Sequence, residues 1–176
     1  MRRALVLLLA AVVGLVTLAT PASAEGVPGR GGGHRPPVTV TGTVAADGTW
    51  DADLACGFVR DQLTGTYDAA ERRWPDGTIT LDLCLTDFTA EGFPIVGTFT
   101  VATDNGVSLA GTLTGFMSIP AVRPPEGLPI DLGLVVTGSS GTRRPVTGTI
   151  SIAAGYSSPV YLTSAMGGTF TAEFQL

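Results

Sequence analysis

From Val38 to Leu176 apolar and polar residues alternate with a period of two, and that pattern leaves few folds open to the chain. Val38, Val40 and Val44 fall on one side of an extended backbone, and Thr39, Thr41 and Thr43 on the other. Ile79, Leu81, Leu83 and Leu85 alternate with Thr78, Thr80, Asp82, Cys84 and Thr86. Ile95, Phe99 and Val101 share a face, as do Val107, Leu109 and Leu113. Ile130, Leu132, Leu134 and Val136 repeat the arrangement, followed by Ile150 and Ile152, then Phe170, Phe174 and Leu176. β-Branched and aromatic residues at this period suit half-buried strands. No window after Val38 holds a 3.6-residue period over helical length. The sequence therefore predicts one all-β domain over 38–176, with about eight to ten strands.

Turn residues divide the runs. Asn105-Gly106 lies between two alternating segments and predicts a hairpin with a type I′ turn. Asp47-Gly48, Pro75-Asp76-Gly77 and the Gly138-Ser139-Ser140-Gly141 run predict further reversals. Pro120 to Pro129 is too rich in proline for a tight hairpin and predicts the longest internal connection. A short phrase recurs within the strands: TGTV (41–44), TGTY (64–67), GTFTV (97–101), GTLTG (111–115), TGTISI (147–152) and GGTFTAEF (167–174). Glycines within successive strands let a sheet bend sharply enough to close on itself. This favours a small antiparallel β-barrel, with a β-sandwich as the alternative.

The segment before Val38 carries an address. Arg2 and Arg3, the uncharged apolar stretch Ala4 to Ala19 and the small residues Ala22-Ser23-Ala24 have the order of a secretory signal peptide over 1–24. Residues 25–37, EGVPGRGGGHRPP, lack apolar periodicity and read as a disordered Gly/Pro-rich tail. The expected product is secreted and free of the membrane after cleavage. Without Arg2 and Arg3, eight arginines stand against fifteen acids, a net charge of about −7. Such a surface argues against nucleic acid and anionic membranes as partners. In an exported chain the pair Cys56 and Cys84 predicts a disulfide.

Three stretches, TFTVATDNGVSLAGTLTG (98–115), LPIDLGLVVTGSSGTRRPVTGTISI (128–152) and GGTFTAEF (167–174), resemble small secreted bacterial proteins of the allene-oxide-cyclase-like, or dirigent-like, β-barrel group. The likeness lies in strand and turn grammar over about half the chain. Where that group has a VTGGTGRF-like turn, this chain has VTGSSGTRRPVTG (136–148), without the aromatic and with two arginines. The resemblance implies a barrel and transfers no catalytic residue.

The residue inventory excludes several chemistries. The single histidine, His34, falls in the tail, so Ser-His-Asp and Cys-His catalysis and zinc sites lack their parts. There is no lysine for a Schiff base, and no phosphate-binding or dinucleotide glycine loop. No cofactor or metal is expected; Asp47, Asp51 and Asp53 are acidic but lack EF-hand spacing. The remaining binding candidates are Trp74, in the run Glu71-Arg72-Arg73-Trp74, and Arg123, in the proline-rich connection. Arg143 and Arg144 offer an anion contact at a polar turn. Asp82 and Asp131 oppose the aliphatic rows and should face solvent; interior acids would require the threonine rows to line the lumen.

These readings converge on a non-catalytic module binding a small apolar ligand or a macromolecular partner. The alternatives are a cyclase- or dirigent-like enzyme steering a reactive intermediate in its cavity, and a structural envelope protein. A hollow or filled lumen discriminates among them.

Overall fold

The alternation resolves into eight strands joined in an up-and-down meander. The computed structural model describes residues 36–72, 74–158 and 162–175. The expected signal peptide, most of the Gly/Pro-rich segment with His34, and Arg73 lie outside the described residues. The strands are β1 (Val38–Ala52), β2 (Val59–Ala69), β3 (Gly77–Leu85), β4 (Gly92–Thr103), β5 (Ser108–Ser118), β6 (Leu128–Ser140), β7 (Thr147–Ser157) and β8 (Thr163–Gln175). Each pairs antiparallel with the next, and β1 pairs with β8, closing a barrel without free edges. Closure excludes the sandwich.

The period-two rows decide which side faces in. Val40, Val44, Leu63, Leu81, Leu83, Phe99, Leu113, Leu134, Ile152 and Phe174 are all buried in one continuous core. The opposite rows are largely threonine, meeting across strands as Thr41–Thr171, Thr64–Thr80, Thr80–Thr100 and Thr98–Thr112. An apolar lumen with a polar outer wall is the reverse of what a lipid-facing barrel needs. Asp82 and Asp131 stand on the outer wall, as the alternation predicts.

Four details of the turns differ from the sequence reading. Asp47-Gly48 is not a reversal: β1 runs straight through it, with Leu63 and Ser164 opposite Gly48 on its two neighbours. Pairing on both edges outweighs the local turn preference there, and inward-facing Gly48 leaves room for the Gln62 carbonyl. The Asn105-Gly106 hairpin exists but is not type I′. That type needs positive φ at both central residues, and among the described residues Leu162 is the sole non-glycine with positive φ. Gly106 alone turns left-handed, at φ 85°, and the Thr103 N–H closes the loop onto the Val107 carbonyl at 2.8 Å. A type I turn followed by a left-handed glycine gives this three-residue loop. The Gly138–Gly141 run still belongs mostly to β6, so the reversal starts at Gly141. Pro129 likewise lies inside β6, and the long connection is 119–127.

Candidate functional site

Up-and-down topology places the connections at two ends, which are closed by different means. One end gathers the loops 53–58, 86–91 and 119–127 and the connection from β7 to β8. The other gathers the loops 70–76, 104–107 and 141–146. Trp74 belongs to the second end and Arg123 to the first, so the two predicted binding residues do not form one site.

The first end is locked. Cys56 and Cys84 form a disulfide with Cα atoms 5.2 Å apart, tying the loop after β1 to β3. Inside, the Asp61 carboxylate is fully buried and accepts hydrogen bonds of 2.7 Å from both the Tyr156 and Ser164 hydroxyls. This triad bridges β2, β7 and β8. Burial, with the Asp61 carboxylate beside it, pushes the Tyr156 hydroxyl well above its ordinary range. Asp61 escaped the list of candidates, yet its phase with Leu63 and Tyr67 shows in the sequence. On the outer wall Arg60 grips Asp82 bidentately at 2.6 and 2.8 Å. That guanidinium holds the Asp82 carboxyl below the usual carboxylate range.

Over this end lies an aromatic group. Phe93 packs on the core and meets Phe88 at 5.2 Å and Phe58 at 6.2 Å between ring centroids. Phe58, Phe88, Leu54 and Val122 are exposed, as is Arg123.

At the second end Trp74, Val107 and Val146, one from each loop, pack against the core. Trp74 does not project as a partner anchor, as its loop position suggested. Its indole turns inward and stacks on Phe174, with centroids 4.6 Å apart and planes 10° from parallel. Burying two aromatic faces outweighs solvation of the indole. The loop beneath it is fastened at both ends. The Glu71 carboxylate accepts the Thr41 N–H at 2.8 Å and the Thr41 hydroxyl at 3.0 Å. Asp76 accepts the Ala69 N–H at 2.8 Å, and its carbonyl accepts the Asp104 N–H at 2.9 Å. The Thr41 contacts hold the Glu71 carboxyl below its ordinary range.

Under the indole is an apolar cavity of about 20 Å³, lined by Tyr67, Trp74, Ile79, Val101, Phe170 and Phe174 among others. Strand register builds its aromatic walls. Phe170 lies opposite Gly42, Phe174 opposite Gly148 and Tyr67 opposite Gly77. A Cβ at those glycines would stand 2.7 Å from the Phe170 ring, 2.8 Å from the Phe174 ring and 2.9 Å from the Tyr67 hydroxyl. Each ring thus occupies space that only glycine leaves. Tyr67 meets Phe170 edge to face at 5.8 Å. Its buried hydroxyl has no well-formed hydrogen bond among the described residues; the Trp74 indole is the one polar side chain of the cavity wall beside it. Burial pushes that hydroxyl up to about 12, so it stays a neutral donor and acceptor at ordinary pH.

Elsewhere the buried rows of the described strands form one continuous core, interrupted by the Asp61 triad. A shallow outer groove of about 350 Å³ runs past Asp131, Ser151, Thr169 and Thr171. Arg143 and Arg144 are exposed on the 141–146 turn. Among the described residues no three His, Cys, Asp or Glu side chains converge as a metal site. Comparison with known proteins finds no match among protein families, curated proteins or solved structures.

Proposed function

We propose that this chain is an exported, non-catalytic binding barrel that takes a small apolar ligand at the mouth closed by Trp74. The observation that carries this reading is the Tyr67 hydroxyl, buried without a partner in an apolar cavity beneath one side chain. Leaving a buried hydroxyl unbonded costs about 1–3 kcal/mol, and native proteins tolerate few such groups. A water is a poor remedy there, since buried waters average about three hydrogen bonds. A ligand that brings its own polar atom to Tyr67 removes the penalty.

The contrast between the ends supports the same reading. A disulfide and a three-strand hydrogen-bonded triad tie one end together, whereas at the other the cavity is covered by apolar contacts, the Trp74–Phe174 stack among them. The continuous packed core speaks against carriage deep inside the barrel. The cyclase-like reading loses support because Asp82 and Asp131 face outward and no acid lines the cavity. Export rests on the leader sequence and on a disulfide that suits an oxidising compartment.

The test is native mass spectrometry of protein recovered from the medium of a secreting host. A small adduct lost on denaturation, and retained by a Trp74→Ala variant, is the expected result. Bare protein, together with no thermal shift against a panel of apolar compounds, would overturn it.

A further inference from the structure

We infer that the ligand is a flat, neutral aromatic molecule carrying one O–H or N–H, and that it takes the place of the Trp74 indole against Phe174 and Tyr67. This rests on the mouth-binding reading above and narrows it to a chemical class.

Size comes first. A cavity of about 20 Å³ admits one water-sized body, so no organic molecule fits while the indole is seated. Ligand and indole must exclude one another. The loop cannot swing away cheaply, because Glu71 holds it to Thr41 and Asp76 holds it to Ala69 and Asp104. Rotation of Trp74 about its own side-chain bonds is the remaining route, and it leaves the loop in place.

The vacated space defines the shape. Trp74 lies nearly parallel to Phe174, and Tyr67 stands perpendicular to Phe170. A flat ring that replaces the indole keeps the stack on Phe174, whereas an aliphatic chain forfeits it. Polarity follows from the lining, where the remaining groups are aliphatic or aromatic and Tyr67 alone carries a free hydroxyl. A carboxylate or ammonium buried there would have no counter-ion, which costs far more than one hydrogen bond returns. One O–H or N–H, aimed at Tyr67, satisfies the site. The indole is itself a molecule of this class, so the closed barrel holds a stand-in for its ligand.

Indole and benzothiophene test this directly, since they share a shape and only indole has an N–H. Binding is read from the side-chain N–H resonance of Trp74 by two-dimensional NMR, with Trp50→Phe used to assign it. Indole is expected to move that resonance. Tyr67→Phe should weaken indole about 5–10-fold, the worth of one hydrogen bond, and leave benzothiophene unchanged. Because Tyr67→Phe deletes a hydroxyl without a partner, the variant should melt at or above the parent temperature. Equal binding of the two probes, or indifference of indole to Tyr67→Phe, overturns the ligand class and leaves mouth binding standing. Displacement of Trp74 by decanol and not by indole does the same. If none of the three probes shifts Trp74 up to its solubility, the class and the mouth reading both fall.

Discussion

The rings of Trp74 and Phe174 lie 4.6 Å apart at 10° from parallel, a stack that covers the apolar cavity at one end of the barrel. It joins a loop residue to the eighth strand, and both rings line the cavity beside Tyr67. Removing it should act on stability and access together. Trp74→Ala is expected to cost about 2–4 kcal/mol, less than a fully buried tryptophan because the side chain is only partly buried. Urea unfolding measures the loss, and binding of a hydrophobic dye should rise in the variant under native conditions.

Seating of Trp74 should depend on pH through Glu71. Its folded-state pKa is depressed below 4.5 by the Thr41 hydrogen bonds. The ionised carboxylate therefore stabilises the closed loop fully above pH 4.5, and this contribution disappears as pH falls through the lower, folded value. Trp74 fluorescence in a Trp50→Phe background should red-shift on acidification within that window. Glu71→Gln should show the loosened loop already at pH 7 and lose this part of the pH dependence.

At the opposite end the Asp61 triad is all-or-none. Asp61→Ala strands the Tyr156 and Ser164 hydroxyls in the core and should cost about 2–4 kcal/mol. Tyr156→Phe should cost about 1.5–3 kcal/mol, as for a hydrogen bond to a charged group. The triple variant Asp61→Leu, Tyr156→Phe, Ser164→Ala should lose less than Asp61→Ala alone, since it leaves no buried polar atom there. Chemical denaturation of the three proteins checks the order.

Reducing the Cys56–Cys84 bond should weaken the barrel without dismantling it. The cysteines are 28 residues apart, which in the chain-entropy model corresponds to roughly 3.5 kcal/mol. The Cys56→Ser, Cys84→Ser variant should melt roughly 10–15 °C lower and keep its β-sheet circular dichroism, because all eight strand pairings are independent of the bond.

The barrel was legible because period two survives along nearly the whole domain. Disulfide pairing was legible for want of any other cysteine. Turn chemistry was less so. Asp47-Gly48 has the composition of a reversal, and only its two neighbouring strands decide that it is not one. The candidate site was half legible. Trp74 stood out as a lone large aromatic in a charged loop, but its direction depends on Phe174, one hundred residues later in the chain. The aromatic walls were invisible because Gly42 with Phe170, and Gly77 with Tyr67, meet only through register. Asp61 was readable in phase with Leu63; its partners were not, since they lie on β7 and β8, 95 and 103 residues later in the chain.

The most direct measurement is a crystal structure of the protein grown with indole. The account predicts electron density for indole against Phe174, within hydrogen-bond distance of the Tyr67 hydroxyl, and Trp74 rotated out of the mouth. Indole found only on the exposed ring group of Phe58, Phe88 and Phe93, with Trp74 still stacked on Phe174, would contradict it.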